Sequence, residues 1–387
     1  SRIGRPVTRA SKINFPSATP WMFDTIRRDR FSTPTPSRYK RVGGTRASLA
    51  MQAAEVLGLR AEDVHPTVAD TDSIGFTALT GTQKATTVND QTTQMQQNAR
   101  LAMELISRDV KMAGFGMTGA VGACPNAINP QDNNTVGADS GPDSVSLVVP
   151  ITSNVAPTWT LAAPGATGPF ATITLQAGAV AAMIAGGLAV NDTLSISGVV
   201  SANVSAIDSA ADQLTLTSSV SAPAIFTTGT QVYWLQCLTY SIGTTTAACA
   251  GTAPCLLRSG VPFADGIEDL QLSYTCDGCT GGVPDDVVDD QNGSNTFDTA
   301  DFISNSTWAT APMTPDTIRL VQISIVARQT RTDEGFGEGR GRAVGTPAPI
   351  VVADHNPSND AGFDLATYQQ VRRRVLTRTV ETRNLGL

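Results

Sequence analysis

Met95, Ala99, Ala102, Met103, Ile106, Val110 and Ala113 recur at steps of three and four, a spacing that restricts residues 89–113 to one amphipathic helix. On its other side Arg100 with Glu104 and Glu104 with Arg108 form opposite-charge pairs four apart, worth a few tenths of a kcal/mol each. Gly114 is placed to stop the helix. Residues 77–88 contain no proline, so the helix extends upstream towards Thr77, with Gly81 weakening that extension. A helix with a single apolar stripe needs a cover. The chain beyond it supplies strands.

After Gly116 the sequence predicts strands at residues 144–149, 171–176, 193–197, 213–217, 231–242, 267–274, 318–327 and 371–382, with residues 191–219 forming a small meander of their own. Alternation is clearest where Val321, Ile323, Ile325 and Ala327 face away from Gln322 and Ser324. A chain of 387 residues, 41% apolar and 16% charged, is large enough to bury a substantial core. No helices alternate with the strands, which argues against a parallel α/β sheet. The expectation is an α+β fold: one long N-terminal amphipathic helix packed on an antiparallel β-sheet, with an additional β-rich insertion. It divides the chain into a basic leader at 1–73, the helical segment at 74–118 and a β-rich body at 119–387.

The leader is rich in Arg, Pro, Ser and Thr, with a short helix expected at residues 48–59. Residues 1–46 carry eleven Lys or Arg against two Asp or Glu, a local charge of +9, so the remainder, with 16 basic and 32 acidic residues, stands at −16. An acidic body is poorly suited to phosphate contacts, and no nucleic-acid partner is expected for it. The longest apolar run, residues 177–190, is short of the ~20 residues that a membrane helix requires. Residues 1–30 hold no apolar stretch of the kind found in signal peptides.

Six cysteines, Cys124, Cys237, Cys249, Cys255, Cys276 and Cys279, suit three disulfides in an oxidising compartment, with Cys249 and Cys255 the easiest local bridge. A four-thiolate zinc site from Cys249, Cys255, Cys276 and Cys279 is the alternative, although the first pair is widely spaced for it. Residues 284–301 gather Asp285, Asp286, Asp289, Asp290, Asn292, Asn295, Asp298 and Asp301, all hard oxygen donors of the kind Ca²⁺ prefers. The spacing is not that of an EF-hand, because Val288 stands where its first Asp belongs. A solvated acidic loop is the competing reading. His65 and His355 have no neighbouring nucleophile pattern, and residues 335–341 (GFGEGRG) lack both the phosphate-loop Lys and a following helix. Enzymatic activity is not expected. Arg372, Arg373 and Arg374 alternate faces in a strand and are expected to pair with the acidic body or with a neighbouring subunit.

Residues 94–117, QMQQNARLAMELISRDVKMAGFGM, closely resemble the helix of PilW-type minor pilins of the type IV pilus. Residues 266–274 (GIEDLQLSY), 319–331 (RLVQISIVARQTR) and 371–384 (VRRRVLTRTVETRN) come in the order that this pseudopilin-like family shows. The resemblance spans about residues 75–387. It implies a structural subunit of the cell envelope, in the periplasm or on the extracellular pilus. Other minor and major pilins and a pilus-tip adhesin would be its partners. Such proteins carry an Asp/Gly-rich turn after the GIEDLQLSY-like strand, which favours Ca²⁺ at Asp285, Asp286, Asp289, Asp290, Asn292 and Asp298. They also begin with a hydrophobic anchor that a prepilin peptidase trims after a Gly. Gly75, Phe76 and Thr77 echo that start, but residues 78–83 have neither its Glu nor an apolar run, and the basic leader stands in its place. Membrane anchoring is therefore left open. The alternative function is a soluble, secreted β-domain adhesin or a calcium-dependent binding module.

Overall fold

A computed structural model describes residues 74–132, 139–163, 170–220, 226–279, 283–331 and 348–384. The leader with its expected helix at 48–59, His65 and the glycine-rich run at 335–341 lie outside them. The chain divides into two units, 1–87 and 88–387. Of the first, only the opening turns of helix α1 (Ile74–Met112) are described. The second holds the rest of α1, then β1 (Ile128–Gln131), β2 (Ser144–Ile151), β3 (Phe170–Thr174) and helix α2 (Ala179–Ala185). Strands β4 (Thr193–Ile196), β5 (Val200–Asp208), β6 (Gln213–Val220), β7 (Val232–Gly243), β8 (Cys255–Arg258), β9 (Val261–Asp265) and β10 (Ile267–Cys276) come next. Last are β11 (Ile318–Arg328), the single turn α3 (Leu365–Tyr368) and β12 (Arg373–Glu381).

All eight expected strands form, and β1, β5, β8 and β9 join them. Every named strand pairing is antiparallel. One sheet runs β1-β2-β7-β4-β5-β6-β3, with the β8–β9 hairpin also attached to β7; a second is β10-β11-β12. Strand β7 is the pivot. Its Trp234–Tyr240 stretch pairs β2 on one edge, while the other edge pairs β4 through Val232–Leu235 and then β8 through Tyr240–Gly243.

The expected α+β, pilin-like class is corrected by these proportions. Among the described residues the fold is mostly β, 38% strand against 18% helix, with an antiparallel sheet curled into a half-barrel, and it is not a long N-terminal helix laid on a sheet. The physical reason lies in where apolar surface is available. Although α1 runs for 39 residues, the first buried side chain among those described is Met95, and residues 86–94 are exposed or half-buried. Strands supply most of the remaining core.

The first core gathers Met95, Ala99, Met103, Ile106 and Val110 of α1 against Leu147, Tyr240, Leu256, Leu270, Leu272, Ile323 and Ile325. A second core is built by Trp159, Leu175, Val180, Met183, Leu194, Val204, Leu214 and Trp234, mostly from the insertion between β2 and β7. Gly114 ends α1 in the left-handed region at φ +79°, where its N–H donates to Val148 O at 2.9 Å. A Cβ there would sit 2.7 Å from that of Ala127, so only glycine lets the chain turn this close to the strand.

One charge lies on the apolar stripe. Asp109 is fully buried, three residues after Ile106, and accepts from the Tyr240 hydroxyl at 2.6 Å and from Arg258 at 2.9 Å, with Arg108 on its other oxygen at 3.2 Å. Burial foremost, and then the Asp109 carboxylate, raise the Tyr240 phenol above its ordinary value. Arg108 thus takes Asp109, and Glu104 takes Arg378 of β12 at 3.3 Å, in place of the intrahelical pairs that the spacing suggests. Removing one partner of a buried pair strands the other, so Asp109→Ala is expected to lower the unfolding free energy by about 3 kcal/mol in urea titration. Replacing the pair together, Asp109→Leu with Arg258→Met, is expected to recover most of that loss.

Candidate functional site

The most developed arrangement of ionisable groups lines a cleft of about 310 Å³ where β10 and β11 meet residues 350–368; its walls include Glu268, Asp269, Arg328, His355, Asp360 and Tyr368. The groups reach it from several elements. Glu268 and Asp269 open β10, Arg328 closes β11, and His355 follows Val352 in a tight turn closed by two reciprocal backbone hydrogen bonds. Gly266 turns the chain into β10 at φ +73°, and a Cβ there would meet the Arg328 carbonyl at 2.6 Å.

His355 is buried between two carboxylates, with Nδ1 at 2.8 Å from Asp269 and Nε2 at 3.0 Å from Asp360. Desolvation by burial pulls its pKa down, but the hydrogen bonds and charges of Asp269 and then Asp360 outweigh it and push the ring up to about 9. Both ring nitrogens are engaged by these carboxylates. Glu268 is held by Arg328 at 3.3 Å and by Arg373 of β12 at 2.9 Å, and the Arg373 guanidinium lies 3.4 Å from the Tyr368 ring centroid. Arg373 thus pairs with the acidic body, as expected. The cleft is a braced lattice of matched charges that ties residues 350–373 to the sheet. Each of these charged groups holds a partner within the cleft.

The acidic loop is organised differently. Asp290 turns its carboxylate onto the backbone N–H groups of Asn292, Gly293, Ser294 and Asn295, and these hold it below the usual carboxylate range, that of Asn295 most strongly. Asp285 and Asp286 donate their backbone N–H groups to buried Asp277, which also holds Arg319 at 2.9 Å. Asp289 accepts from Gly278, and Asn292 donates to Asp298, which in turn caps Ala300. Among the described residues, the donors that come together in this loop are Asp289 with Cys276 and Cys279, and those two sulfurs are bonded to each other. Sequence reasoning missed Asp277, whose only signal is its place inside the Cys276–Cys279 pair.

All six cysteines are paired: Cys124–Cys237, Cys249–Cys255 and Cys276–Cys279. The local bridge suggested by spacing forms, and the four-thiolate zinc arrangement does not. Cys124–Cys237 joins the turn after α1 to the middle of β7, across 113 residues of sequence.

The family model for Type IV Pilus-assembly protein W matches residues 239–384. That stretch begins inside β7 and ends just past β12, taking in the braced cleft, the acidic loop and the whole of the second sheet. The match supports a PilW-type assignment for this part of the chain. No curated protein and no solved structure matches it. The match indicates involvement in type IV pilus assembly and suggests association with its machinery and with the cell envelope. Among the described residues, no helix is long and apolar enough to cross a membrane.

Two outcomes are expected of the site and its bridges. A histidine whose pKa is raised on folding stabilises fully below its unfolded value, about 6.5, and that contribution is lost as pH rises through about 9. Melting temperature is accordingly expected to fall across that window, and His355→Gln is expected to flatten the fall. Closing a long loop restricts the unfolded chain most, so Cys124→Ser with Cys237→Ser is expected to cost about 4 kcal/mol in denaturant titration, against about 2 kcal/mol for the Cys249–Cys255 pair.

Proposed function

We propose that this PilW-type protein is a minor pilin-like structural subunit, acting by contact with other pilins during assembly or at the pilus tip rather than by catalysis. The family match over residues 239–384 is the observation that carries this reading. The construction of the body agrees with it. His355, Glu268 and Arg373 are committed to bracing, and three disulfides suit a chain that works outside the reducing cytoplasm.

The exposed side of α1 is the surface that the proposal assigns to neighbouring pilins. Arg100, Leu101, Glu104 and Arg108 face solvent there, and Leu101, a large apolar side chain, is 51% exposed. A mixed apolar and charged strip of this kind suits side-by-side packing of helices. Partners would include other minor pilins, major pilins and a tip adhesin.

The test is made in the native host. Deleting the gene is expected to reduce surface pili at least tenfold by electron microscopy, with restoration by the wild-type chain. A photo-crosslinking residue placed at Leu101 is expected to capture a pilin subunit, identified by mass spectrometry. Normal piliation in the deletion strain, or capture of no pilin, would overturn the proposal.

A further inference from the structure

Away from the braced cleft and the acidic loop, the chain between β1 and β2 carries Asp132, Asp139 and Asp143, each with one carboxylate oxygen within 4.8 Å of the others. Asp139 is fully buried, and neither of its carboxylate oxygens makes a well-formed hydrogen bond, the adjacent Ser140 N–H giving only weak support. Asp143 is buried as well; its backbone N–H donates to Leu270 O and its carboxylate accepts from Leu272 N, both at 2.8 Å. Asp139 pairs by backbone bridge with His355, and its N–H points to Asp354 O at 3.4 Å. Asp354 carries two more buried carboxylate oxygens without a hydrogen-bond partner.

An independent feature stands outside the cluster. The Tyr274 hydroxyl of β10 lies in the electrostatic reach of Asp143 and Asp132, on a residue 3% exposed, and has no hydrogen-bond partner. Burial first, and then those two carboxylates, drive its pKa well up. Buried oxygens normally find donors, and a buried anion needs a counter-charge. The nearby cation is His355, which interacts with Asp139, but both of its N–H groups are already given to Asp269 and Asp360. Asp139 thus sits buried beside the Asp354 and Asp132 carboxylates, whose charges oppose its own.

We propose that Asp132, Asp139 and Asp143, with Asp354 beside them, form a calcium site that staples the β1–β2 connection to β10 and to the turn at His355. The donor set is all oxygen, which suits a hard cation and not zinc or copper. Two ligands of one Ca²⁺, each at about 2.4 Å, lie no more than about 4.8 Å apart, and the three carboxylates satisfy that limit. The site is separate from residues 285–298, where Asp290 is turned onto backbone N–H groups.

The experiment uses the full-length oxidised chain, stripped with EDTA and titrated calorimetrically with CaCl₂, with thermal melts alongside. Wild type is expected to bind with a dissociation constant on the order of 10⁻⁴ M and to gain roughly 5 °C in melting temperature at 10 mM Ca²⁺. Asp139→Asn is expected to weaken binding at least tenfold and to abolish the thermal gain. Its calcium-free melting temperature should equal or exceed that of wild type, because the substitution removes a buried charge from among neighbouring carboxylates; that separates lost binding from misfolding. The double variant Asp290→Asn, Asp298→Asn is expected to keep the wild-type response. Absence of heat and of any thermal gain in wild type would overturn the assignment, as would a full response in Asp139→Asn or its loss in the acidic-loop variant.

Discussion

The apolar stripe of α1 from Met95 to Ala113 has to be covered on more than one side, and both sheets are recruited to do it. Leu147 and Tyr240 approach from the β2–β7 pair, while Leu270, Leu272, Ile323 and Ile325 approach from β10 and β11. Burying that stripe fixes which face of each strand turns inwards, and a one-residue slip in β11 would expose Ile323 and Ile325 together. The buried Asp109 sharpens the register further. Hydrophobic contact tolerates sliding, whereas a carboxylate between Tyr240 and Arg258 is satisfied at one position of the helix only.

Much of this was legible in the residues. The helix announced itself because its stripe repeats at the helical period, and β11 because it alternates. The unread parts are those whose cause lies far away in sequence. Strand β1, with sequence INPQ, has little propensity of its own and exists because β2 offers it an edge. The β8–β9 hairpin left a fainter trace in Ser259 and Gly260, both at positive φ between two short apolar runs. The class was misjudged because a well-marked helix is easier to see than a dozen short strands, whose combined burial outweighs it.

The same distinction separates the sites. Spacing drew attention to residues 284–301, where acidic side chains are dense in sequence, yet a turn rich in Asp and Asn readily satisfies its carboxylates with its own backbone. His355 looked isolated because Asp269, one of its two partners, is 86 residues away, and the other, Asp360, five residues on, fits no motif. Asp132, Asp139 and Asp143 drew no attention for a different reason: they are modestly spaced in an ordinary-looking loop, and only the fold shows that they come together, two of them buried. Density of charge in a sequence reports solvation as often as it reports a site.

Strand β7 belongs to both cores. Val232 and Trp234 sit in that of the insertion, while Leu238 and Tyr240 sit in that of α1. Cys237 lies between these two stretches, in a small cluster of its own with Val121, Cys124, Val148 and Leu235, and there its bridge fastens the strand to the turn that ends the helix. A force dragging the insertion away from the helix first shears the ladders of β7 with β4 and with the end of β2, and then meets a covalent bond at Cys237. Beyond that bond the segment from Cys124 to Cys237 cannot lengthen the chain, and any further extension has to come from elsewhere in the body.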